Sequence, residues 1–455
     1  MCSPKWKVKV GRDNVVKPSS EEWGNYPYIS LNSLNPPVYS SNCIAIVAFP
    51  KPAIMSSFDI ATAREKFPAL NQPQVFFDNA GGSQTLGIVI DSICNYLSKT
   101  NVQLGATYAV GKKSTASYES GYAAAAKYIN ASTDNIVLGS STTSLFRTLS
   151  FSLSFPAGSE IIISKVDHEA NIASWVDLAA RQNLAIKWWS PKAGTNPKLE
   201  ASDLKDLLSE KTVLVTCTHA SNILGTIHDI AAIAEAVHNI RGALLCVDAV
   251  AYAPHRHIDV KALGVDFYCF SWYKVYGPHI SMLYASLTAL KSVKSLGHHF
   301  NPSSTLQDKL GLAGSCYELT ASIPAVLAYF GDKPSESWAA IEQHEGKLQS
   351  TLLEYLNARS DVTICGEPSP DTKKRVSTIG FVVKGRKSKD VVEAVDELSN
   401  GEMGIRWGTF YSVRLADEIL SLQYDGVVRV SMVHYNTLDE VKQLIELFDK
   451  VLGKV

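Results

Sequence analysis

The sequence of 455 residues lacks the features that mark nucleic-acid-binding, membrane-spanning and disulfide-rich proteins. Its 43 Lys and Arg balance 44 Asp and Glu, and no basic block is interleaved with aromatic residues, so nucleic acid is not expected as a partner. No apolar run is long enough to span a bilayer, and the run at 43–49 has no signal-peptide layout, so no membrane partner is expected. The eight cysteines include no CxxC pair, which favours a reducing, cytoplasmic compartment.

Changes in composition and periodicity along the chain predict four segments. Residues 1–54 are rich in Ser, Asn and Pro without a sustained period, which predicts a poorly ordered tail or translated leader sequence upstream of the true start. Residues 55–74 open with a Ser/Asp-capped helical pattern at 55–67, and we expect this helix to join the small domain. Residues 75–329 form the predicted large, cofactor-binding domain, and residues 330–455 form a smaller C-terminal domain.

From residue 75 onward, short β-rich runs alternate with helical stretches. This order predicts an α/β fold with a mostly parallel sheet covered by helices on both faces. After about residue 330, long helices and a few strands predict a small α+β domain. The strands expected in the large domain are 75–77, 135–138, 160–164, 212–216, 243–247 and 267–270, and those of the small domain are 362–365, 377–383 and 427–431.

The run DFYCFSWYK at 266–274 ends in a lysine set among aromatic side chains. Burial in such surroundings disfavours the ammonium form of Lys274, and its free amine can form a Schiff base with an aldehyde. Most lysines near a Gly-Pro turn are solvated surface residues, so this pattern alone is weak. Asp248, however, ends a second apolar run at 242–248. Pyridoxal 5'-phosphate requires one carboxylate for its pyridinium nitrogen and one amine for its aldehyde.

Further polar residues follow other predicted strands, at the edge where open α/β sheets bind ligands. The GSSTTSL run at 139–145 opens a helix and suits a phosphate at the helix N-terminus, although a plain N-cap is equally consistent with it. His168 offers a flat imidazole for stacking on a ring, and Asn222 offers an amide to a ring hydroxyl or a substrate carboxylate. Four histidines have metal-like spacing: His255, His257, His298 and His299. No acidic or thiol partners for them are evident in the sequence, so no metal site is expected.

Taken in order, these landmarks resemble those of the class V aminotransferases, in the branch that contains cysteine desulfurases. The resemblance runs from about residue 67 to 451. It implies a fold type I enzyme with pyridoxal 5'-phosphate held by Lys274, Asp248 on the pyridine nitrogen and His168 stacked on the ring. The motifs that carry it are FFDNAGG at 76–82, the His168 and Asn222 turns, VDAV at 247–250, SWYK at 271–274 and VRVS at 428–431.

The same resemblance implies contacts to the phosphate, the substrate and a second subunit. Arg429 would hold the carboxylate of an amino-acid substrate, and Asn222 would lie near the ring oxygen and the substrate. Family members are usually homodimers with shared active sites, in which Gly314 and Ser315 would complete the phosphate site of the neighbouring subunit. The phosphate contacts that the resemblance implies within the chain are Thr142, Thr143, Ser271 and Tyr273.

Departures from the family pattern bear on the reaction. Ala251 stands where many relatives carry Gln or His, and Tyr273 replaces a histidine common in desulfurases. The run GIRWGTFYS at 404–412 is similar to the arm that bears the persulfide-forming cysteine in one desulfurase group, with Tyr411 about where that cysteine would be. Cys316 lies in the segment assigned to the phosphate instead. A desulfurase needs a thiolate poised over the substrate sulfur, and the sequence predicts that this chain lacks one.

Three functions compete on this basis. The first is a cysteine-independent enzyme of secondary metabolism that acts at the α-carbon of an amino acid. Its reaction would be alkaloid-type cyclisation, C–C bond formation or decarboxylation, and its aromatic substrate arm would consist of Trp407, Phe410 and Tyr411. It is similar to fungal members of the branch such as the enzyme that builds the loline alkaloid skeleton. The second is a cysteine desulfurase or C–S lyase. The third, a catalytically silent binding protein, is disfavoured because the lysine, the aspartate and the arginine are all present.

Overall fold

A computed structural model describes residues 59–422 and 425–454 of the chain; the predicted tail at 1–54 lies outside the described residues. The strands are β1 (Val75–Phe76), β2 (Ile136–Gly139), β3 (Glu160–Ser164), β4 (Ala185–Trp189), β5 (Thr212–Thr218), β6 (Leu244–Asp248), β7 (Phe267–Ser271), β8 (Ser281–Ala285), β9 (Val362–Cys365), β10 (Thr378–Val383), β11 (Met403–Gly404), β12 (Arg406–Gly408) and β13 (Val427–Ser431).

Helices separate most of these strands. The α-helices are α1 (Ile60–Ala63), α2 (Gly87–Lys99), α3 (Ala109–Tyr128), α4 (Thr142–Ser152), α5 (Ala173–Gln182), α6 (Ile230–His238), α7 (Val260–Leu263), α8 (Leu287–Ser292), α9 (Leu306–Leu310), α10 (Tyr317–Ala321), α11 (Ile323–Tyr329), α12 (Pro334–Ala358), α13 (Ser388–Leu398) and α14 (Leu438–Leu452). Short 3-10 turns lie at Arg64–Lys66, Pro68–Leu70, Thr133–Asn135, Glu169–Asn171, Ala201–Asp206 and Trp272–Lys274, and a π-helical turn lies at Leu415–Ile419.

Seven strands form one sheet in the order β2-β8-β7-β6-β5-β3-β4. Neighbouring strands are parallel except at β8, which is antiparallel to both β2 and β7. Strands such as β3 (EIIIS) and β6 (LLCVD) are continuous apolar runs, the pattern of strands buried on both faces. The α/β fold with a mostly parallel seven-stranded sheet is confirmed.

Successive side chains of these strands enter two different hydrophobic clusters. On β6, Leu245 and Val247 belong to a cluster covered by α2, α3 and α6, while Leu244 and Cys246 belong to one covered by α4 and α5. This alternation follows from the two-residue period of a strand. Full burial stabilises each large aliphatic side chain by about 1.5–3 kcal/mol, so helices on both faces hold the sheet and keep its strand ends in place.

A second, antiparallel sheet in the order β12-β13-β10-β9 lies in the C-terminal part of the chain. Helices α12, α13 and α14 pack on it around a third hydrophobic cluster that includes Leu352, Val395 and Phe448. The strand at Val75 was predicted in the large sheet, but it pairs in parallel with β11 and joins this third cluster. Side-chain pattern alone does not distinguish these two partners.

The segment before β1 was predicted as one helix across 55–67, but its described part is a short helix followed by turns. Asp59 caps α1 by accepting a hydrogen bond from the Ala61 amide at 2.9 Å, and the chain then tightens into 3-10 turns around Pro68. Arg64 forms an ion pair with Glu440 of α14 at 2.8 Å. Among the described residues, no helix is long and apolar enough to cross a membrane.

Candidate active site

A cleft opens at the edge of the large sheet where β2, β3, β5, β6 and β7 end. These five strands run in the same direction, so the residues that follow them meet at one edge. The cleft brings together every residue that the sequence predicted for the cofactor except Ser315. Its lining residues are Ser141, Thr142, Thr143, His168, Ala170, Thr218, Ala220, Asn222, Asp248, Val250, Ala251, Ser271, Tyr273 and Lys274.

Lys274 lies at the end of the 3-10 turn that follows β7. The next residues bend sharply, with Tyr276 in the left-handed region at a φ of 59°. The lysine side chain is buried, and this burial together with the charge of Arg429 lowers its pKa from 10.5 to about 8, although Asp248 opposes the shift. A fraction of about one tenth is therefore the free amine at pH 7, far more than for an exposed lysine.

Asp248 is the last residue of β6 and is also buried. Its Oδ1 accepts a hydrogen bond from the Val250 amide at 2.9 Å, which orients the carboxyl group. Burial raises its pKa from 3.8 to about 6, against the opposing effects of that hydrogen bond and of Lys274. A second carboxyl group that the sequence did not single out, Asp167, is buried nearby, and burial together with the charge of Asp248 raises its pKa to about 7.

His168 follows β3 and presents its ring to the cleft as a neutral imidazole. Its Nδ1 accepts a hydrogen bond from the Ala170 amide at 3.0 Å, which places the proton of the neutral ring on Nε2. Burial, and then the charges of Lys274 and Arg429, lower its pKa to about 4. The ring is therefore uncharged at neutral pH and held in one orientation.

The N-terminus of α4 closes one end of the cleft. Ser141 caps this 11-residue helix by accepting a hydrogen bond from the Ser144 amide at 3.1 Å. Thr142 Oγ1 lies 2.9 Å from Ser271 Oγ, which lies 2.7 Å from Ser281 Oγ, so a chain of hydroxyl groups runs beneath the helix end. Unpaired backbone amides and hydroxyl groups at a helix N-terminus form an anion site.

Arg429 lies beside the cleft but is only 2% exposed. Its Nη2 forms an ion pair with Asp78 Oδ1 at 2.6 Å, and its Nη1 donates to the backbone carbonyl of Asn222 at 3.2 Å. Arg406, directly opposite Arg429 in the β12–β13 pair, contacts the other oxygen of Asp78 at 3.2 Å. Asp78 thus sits between two guanidinium groups. The sequence placed Asp78 in a landmark motif without a role, and its position just after β1 is the signal that could have revealed it.

The predicted substrate arm lies across this arginine. The Phe410 ring covers the Arg429 guanidinium, with 3.5 Å between Cζ and the ring centroid, while Tyr411 is 72% exposed and its ring lies 5.2 Å from that of His168. The Asn222 amide, which was expected near the cofactor ring oxygen, donates from Nδ2 to the Phe410 carbonyl at 2.9 Å. The arm therefore contacts two of the predicted substrate-binding residues, Asn222 and Arg429.

Two of the predicted site residues lie elsewhere. Trp407 was expected at the mouth of the site, but it packs against the C-terminal hydrophobic cluster, because neighbouring residues of β12 face opposite sides and Arg406 takes the side toward Asp78. Ser315 does not line the cleft of its own chain; its hydroxyl lies 3.1 Å from that of Tyr118 on α3. Its expected part in a neighbouring subunit's site stays a prediction.

The cleft fits pyridoxal 5'-phosphate on three observations. Lys274 is a buried amine with a lowered pKa, Asp248 is a buried carboxyl group at the end of the adjacent parallel strand, and the α4 N-terminus offers amides and hydroxyl groups for a phosphate. Within the described part of the chain, no group of three or more His, Cys, Asp or Glu side chains is arranged to hold a metal ion. Fold and site together define a pyridoxal phosphate-dependent enzyme of fold type I.

The chain belongs to the class V aminotransferase family, since residues 75–444 match the family described as Aminotransferase class-V. It is 55% identical over 401 residues to the aminotransferase-like protein FGM3 of Gibberella zeae, covering 87% of this chain and 99% of that protein. It is 39% identical over 405 residues to the cysteine desulfurase-like protein ustD of Aspergillus flavus, covering 87% and 91%. The expected family, and its cofactor pyridoxal 5'-phosphate, are confirmed.

A solved structure shows the same fold. The cysteine desulfurase of Thermococcus onnurineus superimposes with a TM-score of 0.77 at 23% sequence identity, covering 86% of this chain and 98% of that one. This similarity supports the fold type I architecture and does not by itself carry the desulfurase reaction to this chain.

Proposed function

We propose that this protein acts at the α-carbon of an amino acid in secondary metabolism, by cyclisation, C–C bond formation or decarboxylation, without a persulfide cysteine. The observation that carries the proposal is the arm: the Tyr411 ring lies 5.2 Å from that of His168, and the resemblance of the arm implies that Tyr411 stands about where a desulfurase carries its persulfide-forming cysteine. The two fungal relatives, FGM3 and ustD, support the assignment to this group of enzymes.

Four of the six described cysteines support the absence of a persulfide step. Cys217, Cys246 and Cys269 are buried within strands, and burial raises the pKa of each thiol well above its usual range. Cys316 is exposed at the start of α10, its pKa is raised by burial and by Glu318, and it does not line the cleft. A reactive thiolate requires a lowered pKa, and none of these four thiols has one.

In this proposal each residue of the cleft has a definite part. The cofactor supplies an electron sink for charge that develops at the α-carbon of the substrate. Lys274 would hold the cofactor, and its amine would carry a proton to or from that carbon. Asp248 would keep a positive charge on the ring nitrogen of the cofactor, the neutral His168 would pack against that ring, and Arg429 would bind the substrate carboxylate. The side chains that would lie near the phosphate line the same cleft and are Thr142, Thr143, Ser271 and Tyr273.

We include a homodimer in the proposal. Ser315 lies outside the cleft of its own chain, and exposed apolar side chains are found on α2 (Ile88, Leu97) and in the segment that precedes Ser315 (Phe300, Leu312). Burial of such side chains in a subunit interface would bring Ser315 to a neighbouring site. Sedimentation equilibrium of the cofactor-loaded protein is expected to give twice the chain mass, and a monomer would contradict this part of the proposal.

The alternative, a desulfurase or C–S lyase, is tested with L-cysteine. We expect negligible sulfide and alanine, and we expect Cys316→Ser to leave the turnover of the physiological substrate unchanged. A panel of amino acids, followed by the visible absorbance of the loaded protein, identifies compounds that react. Rapid alanine release from cysteine that disappears in Cys316→Ser would refute the proposal and establish the desulfurase.

A further inference from the structure

Both ends of the Asn222 side-chain amide are engaged by the arm. Nδ2 donates to the backbone carbonyl of Phe410 at 2.9 Å, and Oδ1 accepts from the Ser412 hydroxyl at 2.9 Å. A carbonyl oxygen can only accept, so the amide nitrogen must face Phe410 and its oxygen must face Ser412. Ser412 is buried, at 1% exposed, so its hydroxyl has little access to water as an alternative partner.

The backbone of this arm adopts an unfavourable conformation. Phe410 and Tyr411 are consecutive residues in the left-handed region, at φ values of 48° and 60°, where a Cβ crowds the backbone. At the base of the arm, Gly426 packs so closely that a Cβ there would lie 2.2 Å from the Gly408 backbone. Such a conformation persists only when surrounding contacts hold it.

The holding contacts converge on the cleft. The Glu169 amide, next to His168, donates to the Tyr411 carbonyl at 2.7 Å, and the Glu169 carboxylate forms an ion pair with Arg414 just beyond the arm. Asn222 supplies a further side-chain contact. It also lines the cleft, and only one of its two amide hydrogens is needed by Phe410, so the other is free to face a group bound there.

The contacts that hold the arm also keep it over Arg429. The Phe410 ring lies on the Arg429 guanidinium, and Asp78 binds its Nη2, so the arginine is closed off from solvent. The Nε of Arg429 is buried without a hydrogen-bond partner among the described residues. The Phe410 ring covers one face of this guanidinium, so movement of Phe410 would open that face to an incoming carboxylate, and Phe410 is tied to Asn222 through its carbonyl group.

We propose that Ser412 is a positioning residue that latches the arm: its hydroxyl fixes the orientation of the Asn222 amide, which in turn holds Phe410 over Arg429. The contacts of Asn222 with Phe410 and Ser412 thus link the cofactor side of the cleft to the opening through which a substrate carboxylate would reach Arg429. The latch itself is independent of the reaction, and only its consequence for substrate entry rests on the proposed role of Arg429.

The latch is tested by a double-mutant cycle on the cofactor-loaded protein with Ser412→Ala, Asn222→Ala and the double variant. The readout is the rate of trypsin cleavage between Arg414 and Leu415, followed by mass spectrometry without substrate. Each single variant should raise this rate about twofold to tenfold, as expected from the loss of one or two hydrogen bonds. The double variant should be no faster than Asn222→Ala, because Ser412 acts through Asn222.

A matched control and a spectroscopic readout separate positioning from general stability. Ser337→Ala removes a similarly buried hydroxyl, which donates to the Phe330 carbonyl at 2.7 Å away from the cleft, and should leave the cleavage rate unchanged. The pH midpoint of the visible band should shift in both latch variants and not in the control.

Two outcomes would overturn the latch. One is a cleavage rate and visible band in Ser412→Ala equal to those of the unmodified protein; the other is additive effects of the two substitutions. If the cycle behaves as expected but Arg429→Ala binds amino acids normally, the latch stands and the proposed role of the arginine fails.

Discussion

Replacing Asp248 by Asn separates what the buried carboxylate does for catalysis from what it does to stability. The pKa of Asp248 is raised from 3.8 to about 6, chiefly by burial. At 1.36 kcal/mol per unit, this shift of roughly two units amounts to about 3 kcal/mol. Asn has nearly the same shape, and its carbonyl oxygen can still accept the hydrogen bond from the Val250 amide.

The sign of the effect follows from the direction of the shift. A carboxyl group with a raised pKa in the folded state favours folding fully below its unfolded pKa of 3.8, and this contribution is lost as the pH rises through about 6. The cofactor-free Asp248→Asn variant should therefore match the unmodified protein near pH 4. At pH 8 its free energy of unfolding should be higher by up to about 3 kcal/mol, less whatever attraction to Lys274 is lost.

The loaded enzyme should show the opposite effect. Asn cannot hold a positive charge on the ring nitrogen, and breaking a buried charge pair removes about 2–5 kcal/mol, which corresponds to a fall in kcat of roughly 30-fold to several thousand-fold. Urea unfolding at pH 4, 6 and 8 and turnover of the loaded protein measure the two effects, with the exposed Asp439→Asn as control. A variant that is less stable at pH 8, or one that turns over normally, would refute the reasoning.

Three further predictions concern the other charged groups. Borohydride reduction of the loaded protein should label Lys274 alone in peptide mapping, and a label on another lysine would refute the assignment. Because the pKa of Lys274 is lowered from 10.5 to about 8, its amine loses its proton as the pH rises through 8. The rate at which cofactor-free protein captures the cofactor should therefore rise about tenfold from pH 6 to 7 and level off above pH 8. A rate that does not change with pH in stopped-flow absorbance would contradict this. Arg429→Ala should weaken amino-acid binding by about 2–5 kcal/mol in a spectral titration, and unaltered binding would remove the arginine from the site.

The large sheet was predictable where strands are continuous apolar runs. The run at 160–164 matches β3 (Glu160–Ser164) because three consecutive isoleucines favour a strand buried on both faces. Two strands of the large sheet were not predicted. The edge strand β4 carries the partly exposed Lys187 among tryptophans, and β8 is inserted antiparallel between β2 and β7. The position of β8 depends on contacts between distant parts of the chain, which local pattern does not encode.

The cleft was predictable to the extent that it depends on strand ends. Parallel strands finish at the same edge, so residues as far apart as Thr142 and Lys274 were expected together, and the structure brings them into one cleft. The arm was not predictable in this way, because the register of β12 against β13 decides which side chains face the site. That register puts Arg406 opposite Arg429 and turns Trp407 into the C-terminal core. Ser412 and Asp78 gain their contacts only through this arrangement.

The electrostatics of the cleft link cofactor binding to stability. Burial disfavours the charged forms of both Asp248 and Lys274, so each charge costs free energy in the cofactor-free cleft at neutral pH. A ligand with a protonated ring nitrogen compensates the carboxylate, and one with an aldehyde removes the lysine charge by reacting with the neutral amine. Because such a ligand binds the folded state and not the unfolded chain, it stabilises the fold by mass action. The same burial that makes Lys274 reactive therefore lets a bound cofactor stabilise the fold as well as supply the chemistry.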